Sequence, residues 1–201
     1  MIEPFTFVRQ IPSQTDRRCG AAALCMVLQD FGIDLSQEQI WDEIKTPVSP
    51  AKPNEFRIET YRLAAFAYNY GIDAIVGRLK EPFTFLERLH GEHGYRLILN
   101  HRVRQDSPLG HFSVFVKMDA DDQTILLHDP QKGPNRKIST LELAELWKPT
   151  GQNCEISGNV AVLFFRSDMD NLAAATHWTA KFDPNTGCRL GNSFKTTAAN
   201  E

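Results

Sequence analysis

Little in this sequence would staple, anchor or electrostatically steer a folded chain. Its 201 residues include only 4 cysteines, Cys19, Cys25, Cys154 and Cys188, too few for a disulfide scaffold at this length. None stands in C-x-x-C spacing, which leaves a zinc ribbon or a thioredoxin-type redox site without support. A metal site built from Cys154, His177 and Cys188 matches no zinc spacing either, and no cofactor is expected. No apolar run approaches the roughly 20 residues that span a bilayer. Met1–Gln10 lacks the apolar stretch of a signal peptide, so the expected location is the cytoplasm, with no membrane span. An excess of one charge is also missing. The 22 Lys+Arg against 25 Asp+Glu leave a net charge of -3, which excludes a nucleic-acid binder driven by phosphate attraction.

What is present is an ordinary globular composition, 42% hydrophobic and 23% charged, in a length that suits about one domain. A folded unit over 1–166 is expected, followed by a polar, partly disordered extension over 167–201. Phe5–Arg9 alternates like a short strand, and Pro12–Asp16 reads as a loop. Cys19–Phe31 carries no charged or strongly polar side chain between Gly20 and Leu28, and Gly32 stands where a C-terminal cap belongs. An amphipathic surface helix does not look like this, so the spacing predicts a helix buried on most sides. Ser36–Gln39 fits a capping box for a second helix burying Ile40, Trp41 and Ile44. A proline-bearing loop over Thr46–Asn54 and a third helix over Ile58–Tyr70 follow. Ile72–Val76 reads as a strand and Thr84–Leu89 as a short helix.

Strands dominate from there. Tyr95–Asn100, His111–Met118, Thr124–His128 and Asn159–Arg166 are apolar runs divided by turn signals at Asp119–Asp122 and Lys132–Pro134. One helix interrupts them, opened by a second capping box at Ser139–Glu142. Helices first and strands later imply an α+β domain with a central helix packed on an antiparallel sheet.

Chemistry concentrates at few positions. Cys19 stands in the first turn of the buried helix, where unpaired N–H groups favour a thiolate, and Gly20 beside it would let a substrate backbone approach. Cys25 falls on another face and belongs to the core. A thiolate nucleophile needs a base, and the base needs an orienting partner. His111 opens one predicted strand and Asp129 ends the next. If the two strands form a hairpin about Asp119–Asp122, their far ends meet and the two side chains become neighbours. His128 competes with Asp129, but alternation sends adjacent residues to opposite faces, and a carboxylate suits the orienting role. Gln14 precedes the thiol at a distance suited to an oxyanion donor alongside the Cys19 N–H, with Gln10 as its rival. His90, His93 and His101 fall in polar surroundings and read as solvated.

These residues carry a resemblance. Gln14–Leu24 with Phe31–Gly32 resembles the nucleophile segment of the bacteriocin-leader-processing peptidases. Gly110–Val114 and Leu127–Pro130 resemble that family's histidine and aspartate segments. The likeness runs from about Phe5 to Arg166. It implies a papain-like fold, with Cys19 as nucleophile, His111 as general base and acid, Asp129 as orienting residue and Gln14 as oxyanion donor. Leader-processing members usually carry Asp before the cysteine, where this chain has Arg18, and are commonly joined to a transporter. The stand-alone relatives are therefore the nearer match. The expected activity is a cysteine hydrolase acting on a peptide or protein substrate. A deamidase or acyltransferase on the same site, or an inactive peptide-binding relative, are the alternatives. Lys52, Arg57, Arg102 and Arg104, in two loops expected to border the cleft, suggest a preference for acidic partners.

Overall fold

In the computed structural model, residues 6–12, 17–90, 92, 94–107, 109–148, 158–166, 177–182 and 189–190 are described. Gln14, His93, Cys154, Cys188 and the residues after 190 lie outside them. Helices α1 (Cys19–Asp30) and α2 (Gln37–Ile44) come first, then the strands β1 (Thr46–Ser49) and β2 (Lys52–Arg57), helix α3 (Thr60–Tyr68), strand β3 (Asp73–Leu79) and helix α4 (Pro82–His90). The chain continues through β4 (Arg96–Arg102), β5 (Gly110–Asp119), β6 (Thr124–Asp129), β7 (Gly133–Ser139), α5 (Thr140–Trp147), β8 (Val160–Phe165), β9 (Trp178–Phe182) and β10 (Arg189–Leu190).

Helix α1 is buried from Cys19 through Leu28, as its uninterrupted apolar composition demands. It stops in a Schellman turn. The Ile33 N–H reaches the Leu28 carbonyl and the Gly32 N–H the Gln29 carbonyl, with Gly32 at φ +83°, a conformation that favours glycine. Ser36 caps α2 reciprocally with Gln39. The Ser139 hydroxyl accepts from the Glu142 N–H at the start of α5.

Eight strands form one sheet in the order β10-β9-β3-β8-β4-β5-β6-β7, and every adjacent pair is antiparallel. Both faces are covered. On one, Ile98, Phe112, Val114 and Val162 pack with α1, α2 and α3. On the other, Leu97, Leu99, Phe115 and Leu163 pack with apolar residues of α4 and α5. Two-sided burial explains why β8 reads as an unbroken apolar run, Val160–Phe165, instead of an alternating one.

Several local expectations need correction. Residues 6–10 form no strand. Instead the segment is tied down by the Gln10 N–H on the Pro130 carbonyl and the Ile11 N–H on Gln37 Oε1. The proline-bearing stretch after α2 is a two-stranded hairpin, β1 with β2, outside the main sheet. Isolation from a larger ladder is what lets Pro47 and Pro53 sit in it. Lys132–Pro134 turns directly into β7. Beyond Arg166, Trp178–Phe182 pairs with β3 and Arg189–Leu190 with β9. The sheet therefore does not end where the polar composition suggested, because β3 has an edge that β8 leaves unpaired.

Gly20 has a packing reason of its own. A Cβ there would lie 3.1 Å from Phe112 Cδ2 and 3.2 Å from Ile58 Cβ, so the glycine serves the approach of α1 to β5. Gly20→Ala is expected to destabilise the fold by about 1–3 kcal/mol through overpacking. Urea unfolding measures this, and an unchanged midpoint would show that Phe112 yields freely.

Candidate active site

Cys19 opens α1, and Arg18 at the cap position offers the helix no side-chain bond. The first-turn amides are thus left for other acceptors. Cys19 is buried, 6% exposed, and its sulfur takes backbone N–H bonds from Gly20 and Phe112 and meets the ring of His111. Burial works against ionising this thiol. The charge on His111, the hydrogen bond from its ring and the two amides outweigh burial, and the thiol falls below its ordinary value.

His111 lies at the start of β5 and is 4% exposed. Its Nε2 is 2.8 Å from Asp129 Oδ1. A carboxylate only accepts, so Nε2 carries a proton, and Nδ1 is left as the ring nitrogen for the thiol. Burial disfavours the imidazolium, but the negative charge of Cys19 and the bond and charge of Asp129 favour it more. The ring's pKa is raised to about 9.

Asp129 is fully buried and fully bonded. Besides His111, its Oδ1 accepts from the N–H groups of Gln131 and Lys132, each at 3.0 Å. Its Oδ2 accepts from Arg136 Nη1 at 3.0 Å. Burial opposes the charge, yet the His111 bond and charge and the two turn amides hold the carboxyl well below the usual carboxylate range. The Asp-Pro pair is both a turn, closed by Asp129 Oδ1, and the support for the imidazole.

A bulge decides which residue of β6 faces His111. At the turn end of the hairpin, Asp119 pairs Thr124 and Met118 pairs Ile125. Continued unchanged, that register would set Phe115 opposite His128 and Val114 opposite Asp129, turning Asp129 away from His111. Between Phe115 and Lys117 the register shifts by one, and Val114 pairs His128. Val116 is the extra residue, and the shift brings Asp129 to the His111 face. His128 turns to the other side, where its ring meets Phe7 edge-on and its Nδ1 accepts from the Asn135 N–H.

Cys25 is a core residue, its thiol donating to the Leu35 carbonyl at 3.0 Å and pushed up to about 11 by burial and by Asp34 and Glu38. Gln10 is held by its backbone on Pro130; Gln14 is among the residues not described. The solvated reading of His101 is wrong. It is 1% exposed, it pairs with His111 across β4 and β5, and the two rings meet. Its signal was available in Leu97, Leu99 and His101, which share one strand parity. The basic residues counted toward acidic partners have partners of their own within the chain. Lys52 pairs Glu55, Arg57 pairs Glu59 and Arg104 pairs Asp106, and Arg102 turns inward to the carbonyls of Gln105, Glu145 and Leu146. Arg18 lies with its guanidinium 5.0 Å from the centre of the Trp41 ring. Among the described residues no group of three His, Cys, Asp or Glu is placed to hold a metal. No helix among them is long and apolar enough to cross a membrane.

A central helix headed by a cysteine, packed on an antiparallel sheet that presents a histidine bonded to an aspartate, is the layout of the papain-like peptidase fold. The chain belongs to the Peptidase C39 family, whose model matches residues 7–151. Among solved structures it is similar to a double glycine motif protease from an AMS/PCAT transporter, crystallised in complex with the leader peptide. That match has 24% identity and a TM-score of 0.51, and covers 83% of this chain and 100% of the other. It is also similar to the peptidase domain of Streptococcus ComA, a bifunctional ABC transporter of a quorum-sensing pathway, at 14% identity and TM-score 0.57, covering 81% and 99%. A Bacillus anthracis protein described as a C39-like peptidase superposes with TM-score 0.60 at 16% identity, covering 81% and 94%. No curated protein matches the chain.

Proposed function

We propose that the protein is a cysteine hydrolase that cleaves a peptide or amide bond in a peptide or protein substrate through a thioester on Cys19. One observation carries this reading: a buried imidazole, bonded to Asp129 on one nitrogen, meets with its other side a thiol whose ionisation it favours. In the first step the Cys19 thiolate attacks the carbonyl carbon. Gln14 and the Cys19 N–H donate to the oxygen that gains charge. The C–N bond then breaks as His111 passes its Nδ1 proton to the departing amine. In the second step water gives a proton to His111 and attacks the thioester, releasing the acid and restoring the thiolate–imidazolium pair. Asp129 holds the ring's tautomer throughout. That a similar structure contains a leader peptide supports an extended peptide as the substrate class. We place the reaction in the cytoplasm, a reducing compartment that keeps Cys19 a free thiol.

The test is a screen of fluorogenic peptides with Cys19→Ala as control, joined to alkylation mapped by mass spectrometry. Iodoacetamide in mild acid is expected to label Cys19 well before Cys25, and labelling should abolish turnover. Equal labelling of the two thiols, or turnover by Cys19→Ala, would refute the assignment. Products gaining about one dalton without chain cleavage would mark deamidation on the same thioester chemistry.

The pH dependence follows from the same pair. Activity needs Cys19 ionised and His111 protonated, so kcat/KM should rise as the thiol ionises, below its ordinary range, and fall again as His111 loses its proton near pH 9. A falling limb at an ordinary imidazole value, about 6.5, would contradict the ion pair.

A further inference from the structure

One histidine next to the site has no part in the mechanism above. His101 stands one residue before the end of β4, directly across from His111, and the two rings meet at 76° with centroids 5.4 Å apart. The orientation of His101 is itself fixed at two atoms. Its Nδ1 is 2.8 Å from the Arg102 carbonyl. A carbonyl cannot donate, so Nδ1 carries the proton, and Nε2, 3.0 Å from Ser113 Oγ, accepts from the hydroxyl in a neutral ring. Arg102, whose carbonyl sets this tautomer, is buried, and its guanidinium grips carbonyls of the 103–109 loop and of the end of α5. The strand end that carries His101 is therefore held from both sides.

The bond from Nε2 to Asp129 and the bond between the ring and Cys19 hold two atoms of the His111 imidazole and leave the tilt of its plane about the line between them unset. For the Nδ1–H to stay aimed at the thiol, something must hold that tilt. We infer that His101 is a positioning residue whose neutral ring braces the His111 imidazole so that Nε2 stays on Asp129 while Nδ1 stays on Cys19. The inference rests on the ion-pair reading given above. The charged groups around the two rings are Cys19 from α1, Asp129 from β6 and, behind Asp129, Arg136 from β7. Of these charges, one negative sulfur and one carboxylate already balance His111 and Arg136. A second imidazolium against His111 would have no counter-charge. Burial and the charge on His111 agree with this, pushing the His101 pKa down to about 3.

Two substitutions separate bracing from hydrogen bonding. His101→Phe keeps a ring against His111 and gives up both bonds; His101→Gln keeps a polar group for Ser113 and Arg102 and gives up the ring. The readout is the pH midpoint of the Cys19 thiolate, followed by its ultraviolet absorbance against Cys19→Ala and by alkylation rate. His101→Gln is expected to raise that midpoint by about one unit, a roughly tenfold loss of thiolate at fixed pH, and to lower kcat with KM little changed. His101→Phe should keep the wild-type midpoint even where its melting temperature falls. A wild-type midpoint in His101→Gln, or an equal shift in both variants, would overturn the bracing role while leaving the ion pair intact. An ordinary thiol midpoint in the wild-type protein would instead remove the ion pair, and the bracing role with it.

Discussion

His111→Ala is expected to slow alkylation of Cys19 near pH 6 by roughly two orders of magnitude. An unperturbed thiol, with a pKa of about 8.5, is under about 1% thiolate at that pH. In this protein the imidazolium holds the thiol below its ordinary value against burial, which alone pushes it up. Remove the ring and only the Gly20 and Phe112 amides remain to oppose burial, so the thiolate should vanish from the mildly acidic range. Cys25, already at about 11 for its own reasons, should not change and serves as the internal reference. Stopped-flow alkylation at several pH values measures both. An unaltered Cys19 rate in a folded His111→Ala protein would mean that the helix start alone activates the sulfur.

The second large effect concerns stability. Asp129→Ala should cost about 3–5 kcal/mol, because the buried partners of a buried carboxylate lose their counter-charge together. His111 Nε2, the Gln131 and Lys132 amides and Arg136 Nη1 all converge on this one side chain. Asp129→Asn should cost less, since an amide oxygen placed at Oδ1 still accepts from His111 and the turn, while the carboxylate charge facing both His111 and Arg136 is lost. The pH dependence has a definite sign. The folded-state pKa of Asp129 is depressed, so its contribution is present above the unfolded value of about 4 and fades as pH falls through the folded one. The gap in urea midpoint between wild type and Asp129→Ala should therefore be full at neutral pH and shrink in acid. A gap that stays constant into strong acid would mean the loss is one of shape and not of charge.

The two experiments bear on different links of one construction. His111 governs whether the sulfur is charged, and Asp129 governs whether the imidazole and the turn beneath it hold together. Their effects should not add, because they share the His111–Asp129 bond.

Much of the architecture was legible in the residues. Ten consecutive buried positions in α1 follow from a stretch with no polar side chain. The caps at Ser36 and Ser139 follow from hydroxyls three residues before Gln39 and Glu142. The later strands follow from branched and aromatic runs. These are local signals, set by what a backbone segment can bond to and bury within a few residues. The errors have the opposite character. Pro47 and Pro53 argued for a loop, and a separate hairpin accommodated them. Trp178–Phe182 looked too polar around it to join a sheet, and it found an open edge on β3, about a hundred residues earlier in the chain.

By itself, then, the sequence determined that a cysteine begins a buried helix, that His111 and Asp129 occupy the far ends of one hairpin, and that the whole is an α+β domain. Only the tertiary structure decided which side of β6 meets the imidazole. That choice lies in one unpaired residue, Val116, whose insertion moves the register by one and, with a side-chain period of two, exchanges His128 for Asp129. The burial of His101 was signalled by its parity with Leu97 and Leu99, but its partner, the His111 ring, was decided by packing across the sheet. Neither could be read from local patterns, because a bulge and a cross-strand contact are settled by which partner strand is present, and no short stretch of sequence contains its partner.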